Sequence, residues 1–224
     1  MSDYAVILTH NRHELLRSAV AGIAPQVDRV AVVDNASYPP VTFESIGGHQ
    51  VHSIITSDEQ PPNLAFLMNE GFDWAEQQAK ELGETEWFVA LLCDDVLVPA
   101  GWFAAVKTAL QQTGTVMGST HQSFPVTQPI VKTQPDADIV GRLQGSAFVV
   151  RGEVGLRADE EMHWWWQDTD LDWQARLRGG SVIAPGPTAV NLRPNDFTNA
   201  RPELARRAGV DGEVFARKWG TRPW

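Results

Sequence analysis

Two adjacent aspartates, Asp94 and Asp95, follow the apolar run W-F-V-A-L-L-C at residues 87–93. Neighbouring carboxylates repel, and a cation that prefers oxygen relieves the repulsion. Mg²⁺ or Mn²⁺ takes one or two carboxylates and fills its remaining positions with water and substrate phosphates. A second acidic group, Asp168-Thr169-Asp170-Leu171-Asp172, follows Trp164, Trp165, Trp166 and Gln167. Acids at a helix start can simply complement the helix dipole. A carboxylate beside a stack of indoles is also partly desolvated, which suits Asp168 to accept a proton. Both readings of Asp168 stand at the level of local sequence. The histidine pairs His10/His13 and His49/His52 lack a third ligand at a zinc spacing, and His10 is the one best placed to touch a ligand. Cys93 is the single cysteine, which excludes an internal disulfide and a Cys-based zinc site; it is expected to be a small buried hydrophobe.

The elements that must hold these residues alternate. Strands are expected at 4–9, 29–34, 51–56 and 87–93, with helices at 14–24, 64–82 and 101–112. The 87–93 run is apolar throughout, as a parallel strand covered on both faces should be. Such alternation predicts an α/β chain with a Rossmann-like, mostly parallel sheet flanked by helices. Ligands then bind beyond the carboxyl ends of the strands. Four polar sets fall there: Thr9-His10-Asn11-Arg12, Asp34-Asn35-Ala36-Ser37, Asp58-Glu59-Gln60 and Asp94-Asp95. No G-x-G-x-x-G follows the first strand and no Walker pattern occurs, which argues against a dinucleotide-dependent oxidoreductase and a P-loop enzyme.

Beyond residue 112 the alternation stops. Strands are expected at 116–119, 144–151 and 181–184 and a helix at 168–178, whereas 120–139 is rich in Thr, Gln and Pro without a clear period. The chain reads as one domain: a first half to about 112, an irregular second half over 113–192, and a tail over 193–224 with seven basic residues against four acidic ones. That tail is either a solvated helix face or a lid for an anionic ligand.

At 224 residues, 43% hydrophobic and 21% charged, the chain can bury a core and is not disordered. Its formal charge of −10 opposes nucleic acid and anionic lipid as partners. The longest apolar run is seven residues, too short for a membrane span, and the N-terminus carries no signal-peptide pattern, so a cytoplasmic location is expected. Tryptophan is abundant, nine against two tyrosines, and four indoles lie within ten residues around Asp168.

Four stretches in order resemble the GT-A glycosyltransferases of family 2. They are V-I-L-T-H-N-R (6–12) with V-V-D-N-A-S (32–37), N-L-A-F-L-M-N-E-G (63–71), L-L-C-D-D-V (91–96) and the segment 155–180 with its Q-D-T-D-L and R-L-R-G-G pattern. The resemblance covers about residues 4–192 and implies a GT-A sheet whose irregular C-terminal half meets the acceptor. It implies an inverting enzyme that moves sugar from a nucleoside-diphosphate sugar, a UDP-sugar first among them, to a hydroxyl of a glycan, protein or small molecule. Thr9, Asn11, Arg12, Asp34, Asn35, Asn63, Asn69 and Asp94 would line the nucleotide, with Asp34 accepting from the base N–H. Asp95 and Asp94 would hold Mn²⁺ or Mg²⁺. Asp168 would be the catalytic base, and Trp164, Trp165, Trp166, Asp159 and Glu160 would wall the acceptor or sugar.

The chain also departs from the family pattern. Cys93 stands where the fullest metal motif has its first Asp, Gln167 replaces a Glu, Ala65 replaces a Gly, and Val190-Asn191-Leu192 has no metal-ligating His. These departures motivate an alternative, a catalytically inactive module of the same fold that binds a nucleotide sugar or glycan. A sugar nucleotidyltransferase is disfavoured, because no Gly-rich basic loop follows the first strand.

Overall fold

The computed structural model describes residues 1–47, 51–121, 123–136, 142–143, 145–192 and 201–222. In chain order the elements are β1 (Asp3–Thr9), α1 (His13–Ile23), β2 (Arg29–Asn35), β3 (Ser53–Ser57), α2 (Leu64–Glu81), β4 (Phe88–Cys93), β5 (Val96–Leu97) and α3 (Trp102–Thr113). They continue with β6 (Met117–Thr120), β7 (Ile130–Lys132), β8 (Ala147–Arg151), α4 (Gln167–Leu177), β9 (Ser181–Ala184), β10 (Val190–Asn191) and α5 (Pro202–Trp219).

Eight strands form one sheet in the order β3-β2-β1-β4-β8-β6-β9-β7. The first four are parallel, β8 runs antiparallel to β4 and β6, and β9 is again parallel to β6. Side chains alternate across the sheet, as the two-residue period of a strand requires. Ala5 and Ile7 of β1 pack with Leu16, Val20 and Ile23 of α1 and with Trp102, Phe103 and Val106 of α3. Tyr4, Val6 and Leu8 pack on the opposite face with Met68, Phe72 and Ala75 of α2 and Leu171 and Ala175 of α4. Both faces of β1 and β4 are therefore covered, which explains their unbroken apolar sequence.

Four elements escape the sequence pattern for physical reasons. β7 is an edge strand whose Ile130 and Val131 are exposed, so burial imposes no alternation on it. β5 and β10 pair with each other over two residues each, too few to carry a period. The basic tail contains α5, whose buried positions are Leu204, Asp211 and Phe215; a buried aspartate interrupts the apolar stripe that would announce an amphipathic helix.

Helix α2 approaches β1 through Gly71, where a Cβ would overlap the Val6 side chain. Overpacking of this kind costs about 1–3 kcal/mol. Gly71→Ala should therefore lower stability by about that amount in a denaturant titration, with an unchanged m-value.

Candidate functional site

The strand order reverses at β1. The chain reaches β2 and β3 on one side of it and β4 on the other, and the crevice between β1 and β4 is a topological switch point. Leu8 pairs with Cys93 in register, and the Asp94 N–H donates to the Leu8 carbonyl at 3.1 Å, so the ends of both strands open at one level.

At this crevice the Thr9 hydroxyl donates to Asp94 Oδ2 at 2.8 Å. Arg12 donates through one nitrogen, Nη1, to Asp94 Oδ1 at 3.1 Å and to Asp95 Oδ2 at 2.9 Å. Asp94 is 4% exposed. Burial pushes its carboxyl up to about 6 against the pull of Arg12 and Thr9, and Asp95 adds to the rise. Burial likewise pushes the Cys93 thiol well above its ordinary range, and the charges of Asp95, Asp94 and Asp168 add to the shift. The protonated thiol is then the standing form, which makes Cys93 a poor nucleophile.

Asp168 therefore lies within electrostatic reach of Cys93, the last residue of β4. Asp168 lies in the first turn of α4, and its carboxylate presses on Gly145, where a Cβ would overlap it. Gly145 and Ser146 lead into β8, and the Ser146 carbonyl accepts the Cys93 N–H at 2.9 Å. The missing side chain at 145 thus makes room for the α4 carboxylate just before β8, the strand next to β4; nothing in the local sequence marks this glycine.

The three acids of α4 have separate surroundings. Asp172 is paired with the buried Arg176, at 2.6 Å from its Nη2. Asp170 accepts from Trp219 Nε1 at 2.8 Å, Gln174 Nε2 at 2.7 Å and Lys218 Nζ at 2.9 Å. Asp168 lies instead against Gly145, with the Thr169 hydroxyl 3.5 Å from its Oδ1. The adjacent Gln167 is buried, and its Oε1 has no hydrogen-bond partner.

At the ends of β2 and β3 the polar residues divide in the same way. Asp34 accepts the backbone N–H groups of Ser37 at 3.1 Å and Val41 at 3.0 Å, one on each oxygen, and so folds its own turn. Asn35 is 2% exposed, and its Oδ1 has no hydrogen-bond partner. Asn11 ties the β1 and β2 loops together: its N–H donates to Ser37 Oγ at 2.8 Å and its Oδ1 accepts the Tyr38 N–H at 2.6 Å. His10 Nδ1 lies 2.6 Å from the Asn35 carbonyl. The non-glycine residues with positive φ among the described residues are Asn11 and Ala36, in the loops after β1 and β2, and Trp166, immediately before α4. Strain of that kind, about 1–3 kcal/mol each, persists where surrounding structure enforces it.

Asn63 and Asn69 join α2 to the segment before α4. Asn63 caps α2 by accepting from Phe66 N and donates to the Glu160 carbonyl at 2.9 Å. Asn69 exchanges hydrogen bonds with the Ala158 backbone at 2.9 and 3.0 Å and donates to Glu160 Oε1 at 2.8 Å. Asp159 binds Lys218 Nζ at 2.8 Å. Asn63, Asn69 and Glu160 therefore tie α2 to residues 158–160, and Asp159 ties that segment to α5.

The tryptophan turn depends on Asp211, which sequence reading left in the tail. This buried carboxylate accepts the backbone N–H groups of His163, Trp164 and Trp165 at 3.1, 2.7 and 2.8 Å. Trp166 Nε1 donates to the Ala208 carbonyl at 3.1 Å. Trp173 is buried against Phe215 and Trp219. Lys218 and Arg217 meet Asp170, Asp159 and Glu161, and Arg207 donates to the Pro62 carbonyl at 3.0 Å. These cations dock α5 onto α4 and the segment before it and onto the start of α2; Arg193 lies outside the described residues.

The acid pair offers oxygen donors alone, which suits Mg²⁺ or Mn²⁺ when a bound phosphate completes the shell. Arg12 takes one oxygen of Asp95, and the other has no hydrogen bond among the described residues. No group of three or more His, Cys, Asp or Glu suited to a metal occurs among the described residues. The residues fit a cation held jointly with substrate, and do not form a closed protein cage.

No family model and no curated protein matches the chain. Solved structures of S. aureus TarS are similar to it over nearly its whole length. The 1–349 fragment in complex with UDP matches at TM-score 0.62 and 13% identity, covering 99% of this chain and 72% of that one. The fragment in complex with UDP-GlcNAc matches at TM-score 0.62 and 12% identity, covering 99% and 74%. The longer S. aureus TarS structure matches at TM-score 0.64, and this chain covers 44% of it. The fold is GT-A. The α/β sheet and flanking helices that the sequence motifs led one to expect are in place. No helix among the described residues is long and apolar enough to cross a membrane.

Asp211→Ala would strand three backbone N–H groups at the tryptophan turn, and hydrogen bonds to charged groups contribute about 1.5–3 kcal/mol each. Loss of roughly 3–5 kcal/mol is expected in denaturant unfolding. Asp211→Asn, which keeps one acceptor oxygen, should lose less.

Proposed function

We propose that this chain is an inverting glycosyltransferase that moves a sugar from a UDP-sugar to a hydroxyl acceptor. The carrying observation is the placement of Asp168 against Gly145, in the turn whose next residue, Ser146, accepts the Cys93 N–H at the end of β4. Two roles need this arrangement: neutralising the leaving diphosphate at one wall and accepting a proton at the other.

In this reading the acceptor hydroxyl lies between Trp164, Trp165 and Asp168. As its oxygen attacks the anomeric carbon, Asp168 takes the hydroxyl proton, and the bond from that carbon to the diphosphate oxygen breaks on the opposite side. The incoming and leaving oxygens occupy opposite faces, so the anomeric centre inverts. Arg12 stands where negative charge grows on the diphosphate, and fixed positive charge there lowers the barrier. Asp95, backed by Asp94, would hold Mn²⁺ or Mg²⁺, whose Lewis acidity stabilises the same leaving group.

The base contact falls to Asn35. Both oxygens of Asp34 hold its own loop, whereas Asn35 brings a buried, unpartnered acceptor to the end of β2. A uracil N3–H satisfies such an oxygen, and the UDP and UDP-GlcNAc complexes of TarS support that choice of base. The acceptor class, glycan, protein or small molecule, is set by the tryptophan wall.

Two measurements test this. Asp168→Asn should retain UDP affinity within about twofold while transfer from a UDP-sugar falls by roughly 10²–10⁴. Undiminished transfer removes Asp168 from the reaction. Wild-type protein that binds UDP yet neither transfers nor hydrolyses any donor, with or without Mn²⁺, establishes the inactive binding module instead. Asn35→Ala should weaken UDP binding by about tenfold in calorimetry, the value of one buried hydrogen bond; unchanged affinity moves the base elsewhere.

A further inference from the structure

Arg12 occupies a position that a metal ion would also seek. A single guanidinium nitrogen spans both carboxylates of the acid pair, at 3.1 Å from Asp94 Oδ1 and 2.9 Å from Asp95 Oδ2. The second oxygen of Asp94 is held by the Thr9 hydroxyl, and the side chain is 5% exposed, so Asp94 has little freedom to reorient. Asp95 is more open, with 13% of its side chain exposed, and Arg12 more open still at 23%. Among the described residues no further cluster of acids, histidines or cysteines adds ligands that could outweigh this cation.

We propose that Arg12 is the resident counter-ion of the Asp94–Asp95 pair and competes directly with a divalent cation, which can enter at Asp95 only by displacing the guanidinium. Two cations cannot share the Asp95 carboxylate at contact distance without mutual repulsion. The displaced guanidinium has a natural destination in the donor diphosphate, because arginine binds phosphate oxygens in pairs. Cation affinity without donor is therefore suppressed, and the empty site keeps its acids neutralised. The inference rests on the reading of Asp95 as the cation's ligand.

The test is Mn²⁺ binding to the full chain without nucleotide, followed by the electron paramagnetic resonance signal of free Mn²⁺. Arg12→Gln should bind Mn²⁺ about tenfold or more tightly than wild type, which corresponds to about 1.4 kcal/mol. Arg12→Lys, with a shorter reach across the pair, should show a smaller gain of the same sign and serves if the glutamine variant does not fold. Adding Asp95→Asn should abolish the gain. Equal Mn²⁺ affinity in wild type and both Arg12 variants overturns the proposal, as does a gain that survives Asp95→Asn. If Asp95→Asn weakens Mn²⁺ binding in wild type while the Arg12 variants change nothing, the cation seat stands and the competition falls. If none of the substitutions changes it, both fall.

Discussion

Two negative charges on consecutive residues at the mouth of a buried strand are the constraint around which the crevice is arranged. Asp94 and Asp95 follow β4, which is covered on both faces, so water alone cannot screen them. The neighbouring strand answers with Thr9 and Arg12, two residues that the parallel β1–β4 pairing carries to the same level. Charge balance at this point links strand order to chemistry: the carboxylates need a cation, and a nucleotide diphosphate needs one too. One positively charged place can therefore serve the empty site and the loaded one.

The opposite wall is built differently. It has little regular structure and takes its shape from polar ties between distant parts of the chain. Asp211 gathers three successive N–H groups of the tryptophan turn, Asn69 and Asn63 stitch α2 to residues 158–160, and Asp170 receives Lys218 and Trp219. Each is a buried or half-buried polar group with its partners supplied by another element, the condition under which such groups stabilise one arrangement over others. Trp166, held at positive φ, starts α4 and so sets the direction in which Asp168 points. Helix α5 therefore acts on the site through the backbone of residues 163–166.

The strands and helices of the first half were legible because each has one job, to bury a face. β1, β2, β4, α1 and α2 all fall within one residue of their expected bounds. The second half was less legible because its elements are short, exposed or polar. β7 has one paired edge and exposed apolar residues, β5 and β10 are two residues each, and α5 buries an aspartate among its apolar contacts. Asp94, Asp95, Thr9, Arg12 and Asp168 stand out by type and place at strand or helix ends, and the structure joins the first four by hydrogen bonds. Gly145 does not stand out, since its importance lies in a side chain it lacks, and Asp211 does not, since its partners lie more than forty residues away.

What the sequence by itself determined is the alternation of buried strands and helices and the polar residues at the strand ends, because both follow from local periodicity and from the parallel sheet it implies. What only the tertiary structure decided is how those polar residues divide their work. Asp34 and Asn35 are neighbours with similar side chains, yet one spends both oxygens on its own turn and the other keeps a buried acceptor unpaired. Asp168, Asp170 and Asp172 lie on one helix, yet two are neutralised by Lys218 and Arg176 and the third lies against Gly145. Such differences depend on which donors the fold brings within about 3 Å, and that is a property of contacts between distant segments that no single stretch of sequence contains.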